Sequence, residues 1–273
     1  MDTLIRSFII LGLVLSASSS YAKVFVFENS GDWNVAANWE GTDYPGHVVD
    51  VGDSIFINAD VSIPAGLSVE LDGFFDGSAS ASITILGELI INGGANFEGE
   101  LTVSGILTMN EEVYAYKPVV NSGTINANAG NIQFLESVNN SGTINVNGLF
   151  NADSEFINTN QVLVSASGEL LTVGEFTNSG TVNVAGDYMV FGTLNNNANV
   201  LVSGSMSSTT FTSGIVNAAI MTITGSGDFN GTFTNASSGT FTVGSTAVAH
   251  VSDDEGAVTN EGVVNVQGEL IVD

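Results

Sequence analysis

Two stretches of this sequence gather carboxylates closely enough to hold a hard cation. Asp43, Asp50 and Asp53 form one group, and Asp253, Asp254 and Glu255 form the other. Calcium prefers such oxygen ligands, so calcium sites are one reading of these groups. Neither group has EF-hand spacing and no Gly-Gly-x-Gly-x-Asp repeat occurs, which makes solvated acidic loops the default reading. No other cofactor is expected.

Catalysis would need more than scattered acid. Hydrolysis of a glycoside calls for two convergent carboxylates, and Asp72, Asp76, Glu98 and Glu100 form no distinctive pair. Elimination from a uronate calls for a base together with cations that neutralise the substrate carboxylate. From residue 23 onward there is no Arg, and Lys23 and Lys117 are the only lysines. His47 and His250 lie far outside any zinc-ligand spacing. Cysteine is absent, which removes thiol chemistry and disulfides together. The expectation is a protein that is not an enzyme.

Other residues suggest binding. Trp33 and Trp39 could stack on a sugar, or they could plug the end of a repeat structure. Asn139, Asn230 and Asn235 each match the Asn-x-Ser/Thr acceptor pattern for glycosylation. Most asparagines do not match it, and they recur with a regularity that points to a structural role.

The elements that position these side chains follow from that regularity. Asn-Ser-Gly-Thr-Ile-Asn begins at Asn121 and again at Asn140, and Asn-Ser-Gly-Thr-Val-Asn begins at Asn178. An apolar–polar–apolar triplet accompanies them: Ile83/Ile85, Leu101/Val103, Ile125/Ala127, Ile144/Val146, Val162/Val164, Val182/Val184, Val200/Val202, Met221/Ile223, Phe241/Val243 and Val264/Val266. Successive pairs are 18, 24, 19, 18, 20, 18, 21, 20 and 23 residues apart. The period of two within each unit, with β-branched residues, Gly and Asn dominating, excludes a helical repeat. Series such as Val182/Val184, Gly186, Tyr188 and Leu194 give about three short strands per unit, separated by bends. The fold class is therefore all-β: a right-handed parallel β-helix, or β-solenoid, of about 20 residues per coil.

Stacking of the coils would bring Asn121, Asn140, Asn158, Asn178, Asn196, Asn217 and Asn260 into one structural ladder, with Ser237 as the exception. Asn suits such corners because it tolerates left-handed backbone and bonds to a turn's own peptide groups. Thr124-x-Asn126, Thr143-x-Asn145, Thr181-x-Asn183 and Thr240-x-Thr242 should point outward on one face. A Thr row of this kind raises ice binding, but Leu163 and Leu201 interrupt it and Gln161, Asn199 and Ile220 replace the threonine.

Residues 1–22 read as a secretory signal, with Arg6 in the n-region, an apolar run from Phe8 to Leu15, and Ser20-Tyr21-Ala22 before the cleavage point. Residues 23–72 are expected to form an N-terminal cap and opening coil, and residues 73–273 the solenoid. The whole chain carries 29 acidic and 3 basic residues, a net charge of −26. Loss of Asp2 and Arg6 with the signal leaves that net charge unchanged. Such a surface repels nucleic acid and anionic membranes.

The block Gly31-Asp32-Trp33-Asn34, Ala37-Asn38-Trp39, Tyr44-Pro45-Gly46 and Asp53-Ser54-Ile55-Phe56-Ile57, followed by the Asn-Ser-Gly-Thr units, resembles the passenger regions of bacterial β-helical adhesins and autotransporter-like surface proteins. The resemblance implies a secreted or cell-surface protein used in attachment, biofilm or filament formation. No outer-membrane barrel follows the last coil motif, Val264–Asp273, and end-to-end stacking of coils is expected. A carbohydrate-binding module is the alternative; ice binding and a polysaccharide-active enzyme rank behind it.

Overall fold

A computed structural model of the chain describes residues 22–128, 130–208, 214–252 and 257–272. The signal segment, residues 1–21, lies outside them. Short strands follow one another in threes, and each pairs with the strand three further along the chain. The result is three parallel sheets of 13, 12 and 12 strands wrapped around a common interior. The architecture is a parallel β-solenoid of about 20 residues per turn.

Strand alternation makes this possible. In Thr143–Val146 and Gln161–Val164 every second residue is buried and the residues between them are half-exposed. Parallel pairing in matched register then stacks Ile125, Ile144, Val162 and Val182 into one column. A slip of one residue would turn every inward side chain to solvent, so the burial pattern enforces the register. Aromatic side chains fill the widest parts of the interior. Phe156 and Phe176 stack with ring centroids 4.5 Å apart, and Phe134 meets Phe150 edge-on at 5.0 Å. Tyr188 lies wholly inside, and burial pushes its phenol far above the ordinary range. Its oxygen is 3.4 Å from the Thr172 hydroxyl, another buried polar group.

The third sheet differs from the sequence expectation at its start. Ile83/Ile85 and Leu101/Val103 belong to the second sheet, where Val103 pairs with Asn121. The partners of Ile125/Ala127 are Leu107/Met109, which pair in turn with Leu89/Ile91. The 24-residue spacing is therefore a step from one sheet to the next, with no insertion behind it. The first coil opens at Val24: Val24–Phe27 pairs along its length with Ser54–Ile57.

Tight corners join the sheets, and glycine lines two of them. The Gly123 N–H donates to the Val103 carbonyl of the preceding coil. A Cβ at Gly123 would run into the carbonyl oxygen of Gly105, directly below in the stack. The carbonyl is backbone and a Cβ is fixed rigidly to backbone, so neither can move aside without shifting a coil. Gly123→Ala is expected to destabilise the protein by about 1–3 kcal/mol, read from urea unfolding. An unchanged midpoint would show that the corners are looser than this stacking requires.

Candidate functional site

The most ordered polar feature is a column of buried asparagines where the second sheet turns toward the third. Asn121, Asn158, Asn178, Asn196, Asn217 and Asn235 are wholly buried, and Asn140 nearly so. Each ends a short second-sheet strand such as Phe156–Asn158 or Phe176–Asn178, with its side chain pointing in. The Nδ2 of Asn121 donates to Oδ1 of Asn140 at 2.7 Å, and the chain of bonds continues through Asn158, Asn178, Asn196, Asn217 and Asn235 to Asn260. The second Nδ2 proton is used as well. Asn178 donates to the Asn199 carbonyl at 3.1 Å, and Asn196 to that of Ile220 at 2.9 Å. The Oδ1 of Asn178 also accepts the Gly180 N–H of its own corner at 3.2 Å. One amide thus binds its own turn, the coil below and the coil above. That is what a buried amide needs to avoid the cost of an unmet hydrogen bond.

The column has no gap at Ser237. Asn235 occupies that level and pairs with Asn217 and Asn260. The corner after it, residues 236–239, runs longer than most, so counting back three residues from Thr240 falls short. Below Asn121 the same column holds Val103, Ile85 and Ile63, which are buried and apolar.

A second ladder, absent from the sequence expectations, runs along the corner between the third and first sheets. Asn147 donates to Asn128, Asn128 to Asn110, and Asn110 to Asn92, at 2.9, 2.9 and 2.6 Å. Asn92 ends the run by donating to Oδ1 of Asp72 and Oε1 of Glu70, at 2.7 and 2.8 Å. Its donors point toward the start of the chain, whereas those of the buried column point toward its end. The two amide columns are antiparallel dipoles, and carboxylates meet the positive end of the outer one. The available sequence signal was Asn recurring one place after the third-sheet apolar pair.

The acidic candidates are dispersed. Among the described residues no three His, Cys, Asp or Glu side chains are grouped as a metal site needs. Asp43, Asp50 and Asp53 share a region without converging, and Asp53 accepts the Lys23 N–H at 2.7 Å. Asp253, Asp254 and Glu255 lie outside the described residues. Asp72 is engaged by Asn92, Asp76 points outward from the first sheet, and Glu98 and Glu100 are exposed at a corner. Asp60 accepts the Ser82 N–H at 2.8 Å, and that bond holds its carboxyl below the usual range. His47 stands near Tyr44, and His250 is 3.5 Å from Asp228.

The tryptophans are interior. Trp33 is 0% and Trp39 2% exposed, and they meet edge-to-face at 4.8 Å. Trp39 also packs on Phe27 at 5.1 Å. Each indole N–H is bonded to a carbonyl, that of Trp33 to Gly46 and that of Trp39 to Trp33, both at 2.9 Å. Neither ring offers a face to a sugar, so the glycan-contact reading of this pair is corrected. Of the acceptor-pattern asparagines, Asn235 is buried in the ladder while Asn139 and Asn230 are exposed.

The outward face of the third sheet carries two uncharged columns. Thr124, Thr143, Gln161, Thr181, Asn199, Ile220 and Thr240 form one. Asn126, Asn145, Leu163, Asn183, Leu201, Thr222 and Thr242 form the other, over the same strands. A shallow groove of about 360 Å³ opens there between Leu163, Asn183 and Leu201.

No family model, curated protein or solved structure matches the chain. What the geometry offers is structural order, concentrated in the buried amides. Asn178→Ala would strand the Asn158 donor and the Asn196 acceptor, and it is expected to cost about 1–3 kcal/mol. Asn195→Ala, on the outward, half-exposed neighbour, should cost under about 0.5 kcal/mol. Equal urea midpoints for the two variants would contradict the role given to the column.

Proposed function

We propose that the chain is an exported, non-enzymatic structural or adhesive subunit of a bacterial surface, biofilm matrix or filament. The observation that carries this reading is the uninterrupted solenoid itself. Its inward residues fill a core, its buried amides are bonded to one another, and its carboxylates are spread over corners and outer faces. Such a body is a rigid spacer with long repetitive surfaces.

Export is supported by the sequence of residues 1–22, which reads as a secretory signal. Val24 opens the first strand, and the nitrogen of Lys23 already bonds to Asp53. Cleavage after Ala22 would leave an α-ammonium at that position, turning a neutral donor into a charged one against a carboxylate. Residues 28–47 serve as a cap: Trp39 bridges the free edge of Phe27 in antiparallel fashion, and the Asn38 carbonyl accepts from Glu28 and Asn29. Covering that edge is what a solenoid end requires.

Assembly is proposed from the stacked repeat itself, since an unpaired parallel strand edge accepts another strand. Among the described residues no helix is long and apolar enough to cross a membrane. The net charge of −26 keeps nucleic acid off the list of partners.

Expression with the leader in a bacterial host should yield exported protein whose first residue is Lys23, read by N-terminal sequencing. Retention in the cytoplasm with the leader intact would overturn export. Electron microscopy of the purified protein, with and without calcium, should show rods joined end to end. Dispersed single particles under both conditions would remove the filament form of the proposal.

A further inference from the structure

The charge of this protein is segregated by face. Residues 122–128, 141–148, 159–168, 179–186, 197–204, 218–225 and 236–247 contain no Asp, Glu, Lys or Arg. They are the third-sheet sides of successive coils, strand and flanking corners together. The acids lie elsewhere: Glu169, Asp187 and Asp228 face outward from the first sheet, and Glu155 and Glu175 stand where the chain enters the second. Each of these two sheets therefore presents or borders like charge.

From this we infer that the outward face of the third sheet is an interaction surface for a second copy of the same chain, the two sheets meeting face to face. Pairing two first-sheet faces would oppose carboxylates across a closing gap, which costs more as water leaves. Second-sheet strands such as Phe156–Asn158 and Phe176–Asn178 are uncharged outward, but each presents a single outward residue and is bordered by Glu155 or Glu175. The third-sheet face carries no such penalty. Its polar side chains are also partly bonded already: Asn145 donates to Asn126 at 2.8 Å, and Asn126 to Thr108 at 3.1 Å. Apolar side chains stand out among them, with Leu201 41% and Ile220 50% exposed. Leu163 and Leu201 lie one strand to either side of Asn183 and border the groove. In a face-to-face pair these leucines fill the groove of the opposite copy.

The size fits. Uncharged strands of this sheet run from Ile106–Met109 to Val263–Val266, four residues each. At ~4.8 Å between strands and ~3.3 Å per residue, the face measures roughly 43 by 13 Å, or about 1,100 Å² for the pair before the corners are added. Specific interfaces begin near about 1,000–1,200 Å². A neutral polysaccharide is the other occupant a flat uncharged face could take. The face lacks the outward aromatic rings on which sugars stack, and the second copy is favoured for that reason.

Sedimentation velocity of the purified protein over a micromolar range tests this. The expected result is a side-by-side pairing step that doubles the mass of the rods, separate from any end-to-end joining. Leu201→Glu should weaken it at least about tenfold, because it sets carboxylates against an apolar partner face. Thr177→Glu, the same charge added outward on the second sheet, should leave it unchanged. Mixing Leu201→Glu with Leu201→Lys should restore dimers that neither forms alone. Circular dichroism and melting of each variant establish that the coils remain folded. Monomers throughout would overturn the proposal, and so would equal loss in the Thr177 control. Monomers that bind an insoluble neutral polysaccharide through Leu201 would reassign the face. Polymers that keep growing and ignore Leu201→Glu would place self-association at the coil ends, a result that supports the filament reading and contradicts this one.

Discussion

Every feature of this molecule depends on each coil returning to a position directly over the one beneath it. Parallel strands spaced ~4.8 Å apart allow little error, because backbone donors and acceptors must meet along three sheets at once. Apolar burial drives the stacking but is non-directional, and Val on Val tolerates some sliding. The asparagine column does not. Asn178 must reach Asn196 Oδ1 and the Asn199 carbonyl above it while accepting the Gly180 N–H of its own turn. Those bonds can be met in one arrangement only, so the buried amides fix height and rotation together. The cost of leaving any of them unmet, about 1–3 kcal/mol, makes the column a register device.

The same demand explains where glycine and asparagine appear. A corner that stacks backbone on backbone has no room for a Cβ, which is why Gly105 and Gly123 lie above one another. Outside the core the requirement relaxes, and corners lengthen at residues 236–239 without disturbing the columns on either side. The outer ladder from Asn147 to Asn92 bonds the same way in the opposite sense and ends on Asp72 and Glu70. A chain so acidic has carboxylates to place at that positive end, and beyond Glu88 it keeps them off the third-sheet strands.

Much of this was legible in the sequence because burial writes itself at period two. Apolar–polar–apolar triplets and recurring asparagines identify a stacked coil without knowledge of any contact. What misled was the change of composition along the second sheet. In Ile83–Ile85 and Leu101–Val103 its strands carry the same triplet as the third, so the two sheets look alike. From Val119–Asn121 onward the last position becomes Asn and the likeness ends. The Ser237 level was misread because sequence spacing does not reveal that a corner has lengthened. Trp33 and Trp39 carry no sign of their burial, since an indole suits a core or a sugar equally. The outer ladder was hidden because asparagine on a surface is ordinary until its neighbours in the stack are known.

Architecture of this kind sorts side chains by their place in the coil. The interior supplies rigidity, the corners supply solvated charge, and from Ile106 onward the strands of one long face carry no charge. The described strands keep their three-sheet order from Val24 to Val272. The account therefore rests on the asparagine column being a closed, permanently bonded structure in solution. Hydrogen exchange of the side-chain amides, resolved by NMR for Asn140, Asn158, Asn178 and Asn196, measures that directly. Protection comparable to the slowest backbone amides of the third sheet is the expected result. Exchange at the rate of an exposed asparagine such as Asn139, in protein that is otherwise folded, would contradict it.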